Sequence, residues 1–335
     1  MAHRRPRIAA VLCALLALAS TVGARAANPQ LAVPIDCRPQ DGCSIQSYVD
    51  LERGPGVRDF GCGVLTYDGH RGTDFQVRDL ARMRAGVPVV AAAPGVVRAV
   101  REEMPDTGKA AYEAAGESER ALGNAVVIDH GDGWTTFYGH LRRGSVSVRQ
   151  GERVTAGQPL GLVGLSGDTE FPHVHFEVRK DGQVVDPFVG AGAGAACGET
   201  VASLWSSAAR ARLPYTPTGI VCTGWADAAV ERTAMLEDCD RAVALSTRSP
   251  GLVWWAEVYG VRKDDRLHVE LLGPDGAVLG TTTAIVAKDR AREFRYFGKP
   301  RPAGGWSAGR YRARLTLTRA DGSAVLDVTR EIELR

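Results

Sequence analysis

The chain has 335 residues, enough for two ordinary domains, and its 41 basic and 39 acidic side chains leave a formal charge of only +2. No dense Lys/Arg block exists, so nothing electrostatic points to nucleic acid as a partner. No later apolar run approaches the roughly 20 residues that a membrane span needs, and no stable span is expected once the N-terminal segment is removed.

Residues 1–26 carry Arg4, Arg5 and Arg7, then the apolar run "IAAVLCALLALAS", then the small-residue end "ARA". This order predicts a secretory signal peptide cut near Ala26 and a protein in the periplasm or outside the cell. Cys13 lies inside the apolar run and not at its end, which argues against a lipid-anchored cysteine. Loss of the segment removes four arginines and no acid, so +2 becomes −2. Six cysteines remain, at 37, 43, 62, 197, 222 and 239, an even number in an oxidising compartment, and three disulfides are expected. Cys37 with Cys43 and Cys222 with Cys239 would be local pairings, and Cys62 with Cys197 would clip the start of a domain to its end. Spacing alone does not choose among the fifteen connectivities that six cysteines allow.

Residues 27–60 mix Pro, Gly, Asp and short apolar pieces and read as an ordered lead-in held by cysteines. From 61 to 190 short strands are predicted one after another: "GVLTYD", "VPVVAAAPGVVRAV", "NAVVIDHG", "WTTFYGHL", "SVSVRQGERV", "PLGLVG" and "VHFEVR", punctuated by Gly and Asp-Gly steps. Residues 103–122 interrupt the rhythm with Ala, Glu and Lys; the segment is more than a turn needs, and reads as a short helix or a surface excursion, either a loop at the edge of a binding groove or a harmless surface insertion. Residues 191–217 read as a linker. Residues 218–335 return to alternating strands around "PDG" and "ADG" turns, as in a small sandwich of immunoglobulin-like size. The fold class expected is therefore mostly β: an antiparallel sheet domain followed by a second, β-sandwich-like C-terminal domain. Within the latter, "LVWWAEVYG" offers aromatic residues that could meet an envelope protein partner, although adjacent tryptophans face opposite ways in a strand and at least one belongs in a core.

Four histidines fall in three compact settings: His70 with Asp74 in "GHRGTD", His140 in "YGHL", and His173 with His175 in "FPHVHFEV". Zinc favours imidazole nitrogen and carboxylate oxygen, and a catalytic site takes three protein ligands and leaves a position open. Gly72 allows a loop to curl His70 and Asp74 onto one ion. Alternation puts His173, His175 and Glu177 on one strand face, with the two histidines ~7 Å apart. Any one of these histidines alone would more simply be a packed or hydrogen-bonded residue. His130 before a turn, Tyr138 and His268 in "RLHVELL" carry that structural reading, and Glu177 is not the helix-borne base of an H-E-x-x-H site.

"GHRGTD", "YGHL" and "HVHFE", in that order and with "VRQGERVTAGQPLGLVGLSG" between the last two, resemble the LytM/lysostaphin-type zinc metallopeptidases, the M23 family. The resemblance covers residues 61–190. It implies that His70, Asp74 and His175 ligate zinc, and that His140 and His173 line the site, orient the attacking water and stabilise the oxyanion. It further implies a zinc endopeptidase acting on peptidoglycan stem peptides or cross-links. The family's usual "HLHFE" and "YAHL" become "HVHFE" and "YGHL" here without loss of a functional group. The competing reading is a non-catalytic wall-binding protein or an activator of another hydrolase; such relatives lack ligand positions that this chain keeps. Asn28, Asp36 or Asp41 in the lead-in could cover an open metal position, though a cysteine-clipped belt is the simpler role.

Overall fold

The computed structural model describes Met1 and residues 28–38, 41–52, 54–116, 118–191, 197–198, 202–239 and 243–335. The expected signal segment, Met1 apart, lies outside the described residues, as does most of the Gly/Ala-rich exit after 191. Among the described residues no helix is long and apolar enough to cross a membrane.

In chain order the elements are β1 (Cys43–Ser47), β2 (Thr73–Val77), α1 (Leu80–Ala85), β3 (Pro88–Val90), β4 (Gly95–Arg101), α2 (Gly108–Ala115), β5 (Asn124–Gly131), β6 (Trp134–Leu141), β7 (Arg153–Val154), β8 (Pro159–Leu162), β9 (His173–Lys180) and β10 (Gln183–Val184). After these come α3 (Ser207–Arg212), β11 (Gly219–Ala226), α4 (Arg232–Met235), β12 (Gly251–Val261), β13 (Arg266–Leu272), β14 (Val278–Ile285), β15 (Arg290–Pro300), β16 (Gly309–Thr318) and β17 (Ala324–Leu334). The protein is mostly β, and every strand pair in its sheets is antiparallel.

One eight-stranded sheet runs in the order β1-β2-β9-β6-β5-β4-β7, with β10 paired to β9. Two Asp-Gly steps make its tightest hairpins. Gly131 pairs with Trp134 across Asp132-Gly133, and Lys180 pairs with Gln183 across Asp181-Gly182. All four turn residues have positive φ, from 48° to 80°, the backbone that a two-residue turn needs to match the strand twist. Behind the sheet, Val126, Ile128, Tyr138, Val174, Phe176 and Val178 form a core with Leu31, Val33 and Ile35 of the lead-in. The lead-in is thus part of this unit: β1 is an edge strand of the sheet, and its loop is tied by Cys37–Cys43. Disulfides also join Cys62 to Cys197 and Cys222 to Cys239.

One predicted strand is absent and another is reduced to two residues. "GVLTYD" is a loop that Asp59 gathers by accepting from the backbone N–H groups of Gly61, Gly63 and Leu65. "SVSVRQGERV" keeps only β7, where Val154 pairs with Gly95 of β4, while the buried Val148 lies outside any strand. Alternation reported their burial correctly but could not report pairing. "VPVVAAAPGVVRAV" divides into β3 and β4 at Pro94. Residues 103–122 form α2 and a single 3-10 turn.

The second unit packs the three-stranded sheet β11-β12-β15 on the four-stranded sheet β14-β13-β16-β17. Trp254, Ala256 and Val258 meet Leu267, Val269, Leu271, Ala313, Leu315 and Leu317 between them. Every residue of β12 is buried, because its other face is covered too. There Trp255 is buried, Glu257 takes an ion pair from Arg232 at 2.6 Å, and Tyr259 joins the core of the first unit. Both tryptophans of "LVWWAEVYG" are therefore internal. The backbone N–H of Ala81 donates to Glu237 O at 2.9 Å, and Arg292 donates to Gln46 and Gln76, so the two units are in direct polar contact.

Asp186 lies at the end of the first core. Burial raises its carboxyl to about 7, the nearby Asp59 adding to the rise and the N–H groups of Phe188 and Val189 opposing it. Its folded value exceeds the unfolded one, so this group's stabilising contribution is present below about pH 4 and lost as pH rises through about 7. Asp186→Asn keeps an acceptor for the two N–H groups, and its Tm relative to the unmodified protein should be higher at pH 8 than at pH 5. Thermal unfolding at the two pH values checks this; an offset independent of pH would contradict it.

Candidate metal centre

Asp74 on β2 lies directly opposite His175 on β9, and Gln76 lies opposite His173. Cross-strand partners share a face, so Asp74 and His175 project together on the side away from the core residues Phe75, Val174 and Phe176. His70 comes from the preceding loop. Its backbone N–H donates to Tyr67 O at 2.9 Å, and its carbonyl accepts from Asp50 N at 2.8 Å, which brings the loop back over the strand ends. Gly72 sits where the loop passes His175; a Cβ there would lie 2.5 Å from His175 Nε2 and 2.9 Å from Phe176 O.

Three atoms converge. His70 Nε2 is 3.2 Å from Asp74 Oδ1 and 3.2 Å from His175 Nδ1, and His175 Nδ1 is 2.9 Å from Asp74 Oδ1. Bonds of about 2.0–2.2 Å to a tetrahedral zinc would set such atoms roughly 3.3–3.5 Å apart, so the set needs only a few tenths of an ångström of expansion. All three residues are buried. The far nitrogens are also occupied: His70 Nδ1 donates to Tyr48 O at 2.7 Å, and His175 Nε2 faces Glu177 Oε2 at 3.7 Å. With an ion bound in place of the proton that His175 Nδ1 shares with Asp74, these acceptors would keep the remaining ring hydrogens on the outside, the tautomers a metal requires. The set of two histidines and one carboxylate is able to hold a metal ion.

The electrostatics are tightly coupled. Burial works against charge on Asp74, but His70 and His173, with hydrogen bonds from His173 and His175, outweigh it and hold the carboxyl well below its usual range. Burial likewise opposes a proton on His175, but Asp74 and Glu177 prevail and raise it to about 9. Glu177 is held below its usual range in spite of burial, by His175 and by Arg179, whose Nε donates to Oε1 at 2.5 Å.

Two further imidazoles border the same space. His140 and His173 have ring centroids 4.5 Å apart, and those of His140 and His175 are 6.0 Å apart. His140 Nδ1 donates to Ser166 O at 2.8 Å. His173 Nδ1 faces Phe171 O at 3.0 Å and Thr169 Oγ1 at 3.1 Å, while its Nε2 is 3.4 Å from Asp74 Oδ1. His140 has φ of 58°, a conformation that costs a non-glycine residue on the order of 1 kcal/mol or more. Its N–H donates to Leu122 O and its carbonyl accepts from Gly164 N, which hold that geometry. Burial, together with His173 and His175, pushes its pKa well down, so the ring is neutral at physiological pH.

Residues 68–187 match the family model described as peptidase family M23. These residues are an M23 peptidase domain. Among curated proteins, 125 residues are 35% identical to the cell division protein DipM of Caulobacter vibrioides, covering 37% of this chain and 18% of that protein. Over 117 residues, 33% are identical to the peptidoglycan DD-endopeptidase ShyA of Vibrio cholerae, covering 35% of this chain and 22% of ShyA. A shorter stretch of 68 residues is 46% identical to the murein hydrolase activator EnvC of Escherichia coli, 20% of this chain and 16% of EnvC. The chain thus aligns with less than a quarter of the length of each of these relatives.

The remaining candidates take structural places. Tyr138 is in the core, its hydroxyl accepting from Ala92 N at 2.8 Å. His130 bonds Pro94 O and Thr136 Oγ1 on the far side of the sheet edge. His268 belongs to β13 of the second unit and meets Thr283. Sequence reasoning missed Tyr48, Ser166 and Phe171, which act through backbone carbonyls. Such groups exist at every residue and leave no residue-type signal. Gly139 has a reason as well: a Cβ there would lie 2.3 Å from Leu122 Cδ1 and 3.0 Å from Leu122 O, so an alanine would require Leu122 to shift.

Gly72→Ala should push the His175 ring off its present line. Zinc affinity is expected to fall about tenfold or more, as for loss of a ligand-orienting partner, with little change in the far-ultraviolet circular dichroism. Competition titration with a zinc chelator measures the first quantity; unaltered affinity would show that the ring has room to yield.

Proposed function

We propose that the chain is an exported zinc endopeptidase that hydrolyses stem peptides or peptide cross-links of bacterial peptidoglycan. The observation that supports this most directly is the convergence of His70, Asp74 and His175 beside two more imidazoles whose outer nitrogens are already bonded. In this reading His70, Asp74 and His175 hold the ion. Zinc, when bound, supplies a Lewis acid for the scissile carbonyl and makes water a nucleophile near neutral pH. His140 presents an unprotonated Nε2 to the cavity, because its hydrogen is committed to Ser166 O; it accepts the proton of the attacking water and returns it to the leaving amine. His173, whose Nε2 lies 3.4 Å from Asp74 Oδ1 in the same space, is placed to donate to the developing oxyanion.

The name of one relative, ShyA, records a peptidoglycan endopeptidase, and that of another, EnvC, a hydrolase activator. The intact donor set favours the first activity here. Three disulfides agree with an oxidising compartment.

The decisive measurement is incubation of the purified chain with peptidoglycan, with and without chelator, and mass spectrometry of new peptide ends. Cleavage that chelation stops and zinc restores is expected. His140→Ala should lower the rate by roughly 10²–10⁴-fold while retaining zinc, whereas His70→Ala should lose both. Absence of cleavage by the zinc-loaded chain would place it with the activators.

A further inference from the structure

The face of the eight-stranded sheet that bears His175 continues well past the metal centre. Along β9 that face carries His175, Glu177 and Arg179, and register adds Phe137 and Thr135 of β6, opposite Glu177 and Arg179, then Val127 and Asp129 of β5. A cavity of about 620 Å³ opens there, lined by Arg98, Val127, Asp129, Phe137, Arg179 and Asp181 among others. Arg179 is four residues beyond His175, so the cavity lies about 13 Å along the strand from the metal centre.

Its chemistry is unlike that of the centre. The floor is apolar, from Val127 and the Phe137 ring, and the Arg179 guanidinium lies 4.6 Å over that ring while bonded to Glu177. Arg98 is the extra residue of β4 where the register against β5 shifts between Val97 and Ala99, a bulge that re-aims the side chain. Among the described residues neither Arg98 nor Asp129 has an ion-pair partner, Asp129 Oδ1 accepting only from Gly131 N at 2.8 Å, so a cation and an anion border one apolar floor.

We propose that this cavity is a subsite for the zwitterionic end of a diamino acid side chain, one bearing its own ammonium and carboxylate, in the peptide held at the metal centre. The assignment rests on the peptidase reading above. Arg98 and Arg179 receive the carboxylate, Asp129 and Asp181 the ammonium, and Val127 with Phe137 the methylene stem. An extended peptide advances about 3.3–3.6 Å per residue, so a long side chain two residues from the scissile bond spans the distance. A lysine in the same position offers the ammonium alone and leaves the guanidinium side without a partner. Sites built on polar pairing discriminate strongly against such analogues.

Isothermal titration of the full, zinc-loaded chain with two probes tests this: the tripeptide L-Ala–γ-D-Glu–meso-diaminopimelate, and the same tripeptide ending in L-lysine. The diaminopimelate probe should bind about tenfold more tightly, the worth of one charge-assisted hydrogen bond. Arg98→Ala should bring the ratio of Kd values toward one with little change for the lysine probe, which has no carboxylate for it, whereas Asp129→Asn should weaken both probes, since both carry the ammonium. Equal affinity for the two probes, no binding of either, or a ratio that survives the Arg98→Ala/Asp129→Asn double substitution would overturn the subsite. Hydrolysis is read separately: a preserved ratio without cleavage supports the subsite and removes the peptidase reading instead.

Discussion

The site depends on the register of β2 against β9. Asp74 faces His175 because those two residues are direct antiparallel partners, and a slip of one residue would turn Asp74 toward the core and Phe75 toward the cavity. Such a slip is opposed on every side. β2 is buried throughout and is paired to β1 on its other edge, while β9 is paired to β6 and closed by the Asp181-Gly182 turn. Phe75, Val174 and Phe176 then pack as one layer of the core, so the apolar pattern and the polar pair are set by the same alignment.

Around that pair, backbone carbonyls do the orienting. Tyr48 O, Ser166 O and Phe171 O each face the outer nitrogen of one imidazole, and a carbonyl can only accept, so the protonation pattern of the ring facing inward follows from chain path. The lead-in supplies the first of these. Residues that precede the motif in the chain are therefore part of the centre, through the carbonyl of Tyr48 just after β1. The insertion over 103–122 contributes similarly: Leu122 O holds the N–H of His140, and α2 begins against the carbonyls of Leu165 and Thr169 in the loop that leads into β9.

The second unit is coupled to this arrangement by more than tethering. Arg292 of β15 lies 4.2 Å over the Phe171 ring, and Phe171 in turn stacks on His173 at 4.6 Å. Burial lowers the Arg292 pKa to about 10, still far above neutrality, so the guanidinium remains charged while bonded to Gln46 and Gln76. A displacement of the sandwich would thus be felt at a wall of the space that His140 and His173 border.

Much of the centre was legible in the sequence because its chemistry is residue-specific. Histidine and aspartate are uncommon enough in strands that "GHRGTD", "YGHL" and "HVHFE" in one order carry information, and period-2 alternation alone places His173, His175 and Glu177 on one face. The Asp-Gly turns and the mostly β class were readable for the same local reason, since φ preference and alternation are properties of a few neighbouring residues. The convergence of His70 on a partner 105 positions away, the positive φ of His140, the carbonyls that set each tautomer and the burial of both faces of β12 were decided only by tertiary structure. Pairing register and packing between units join residues distant in the chain, and every residue has the backbone groups they use.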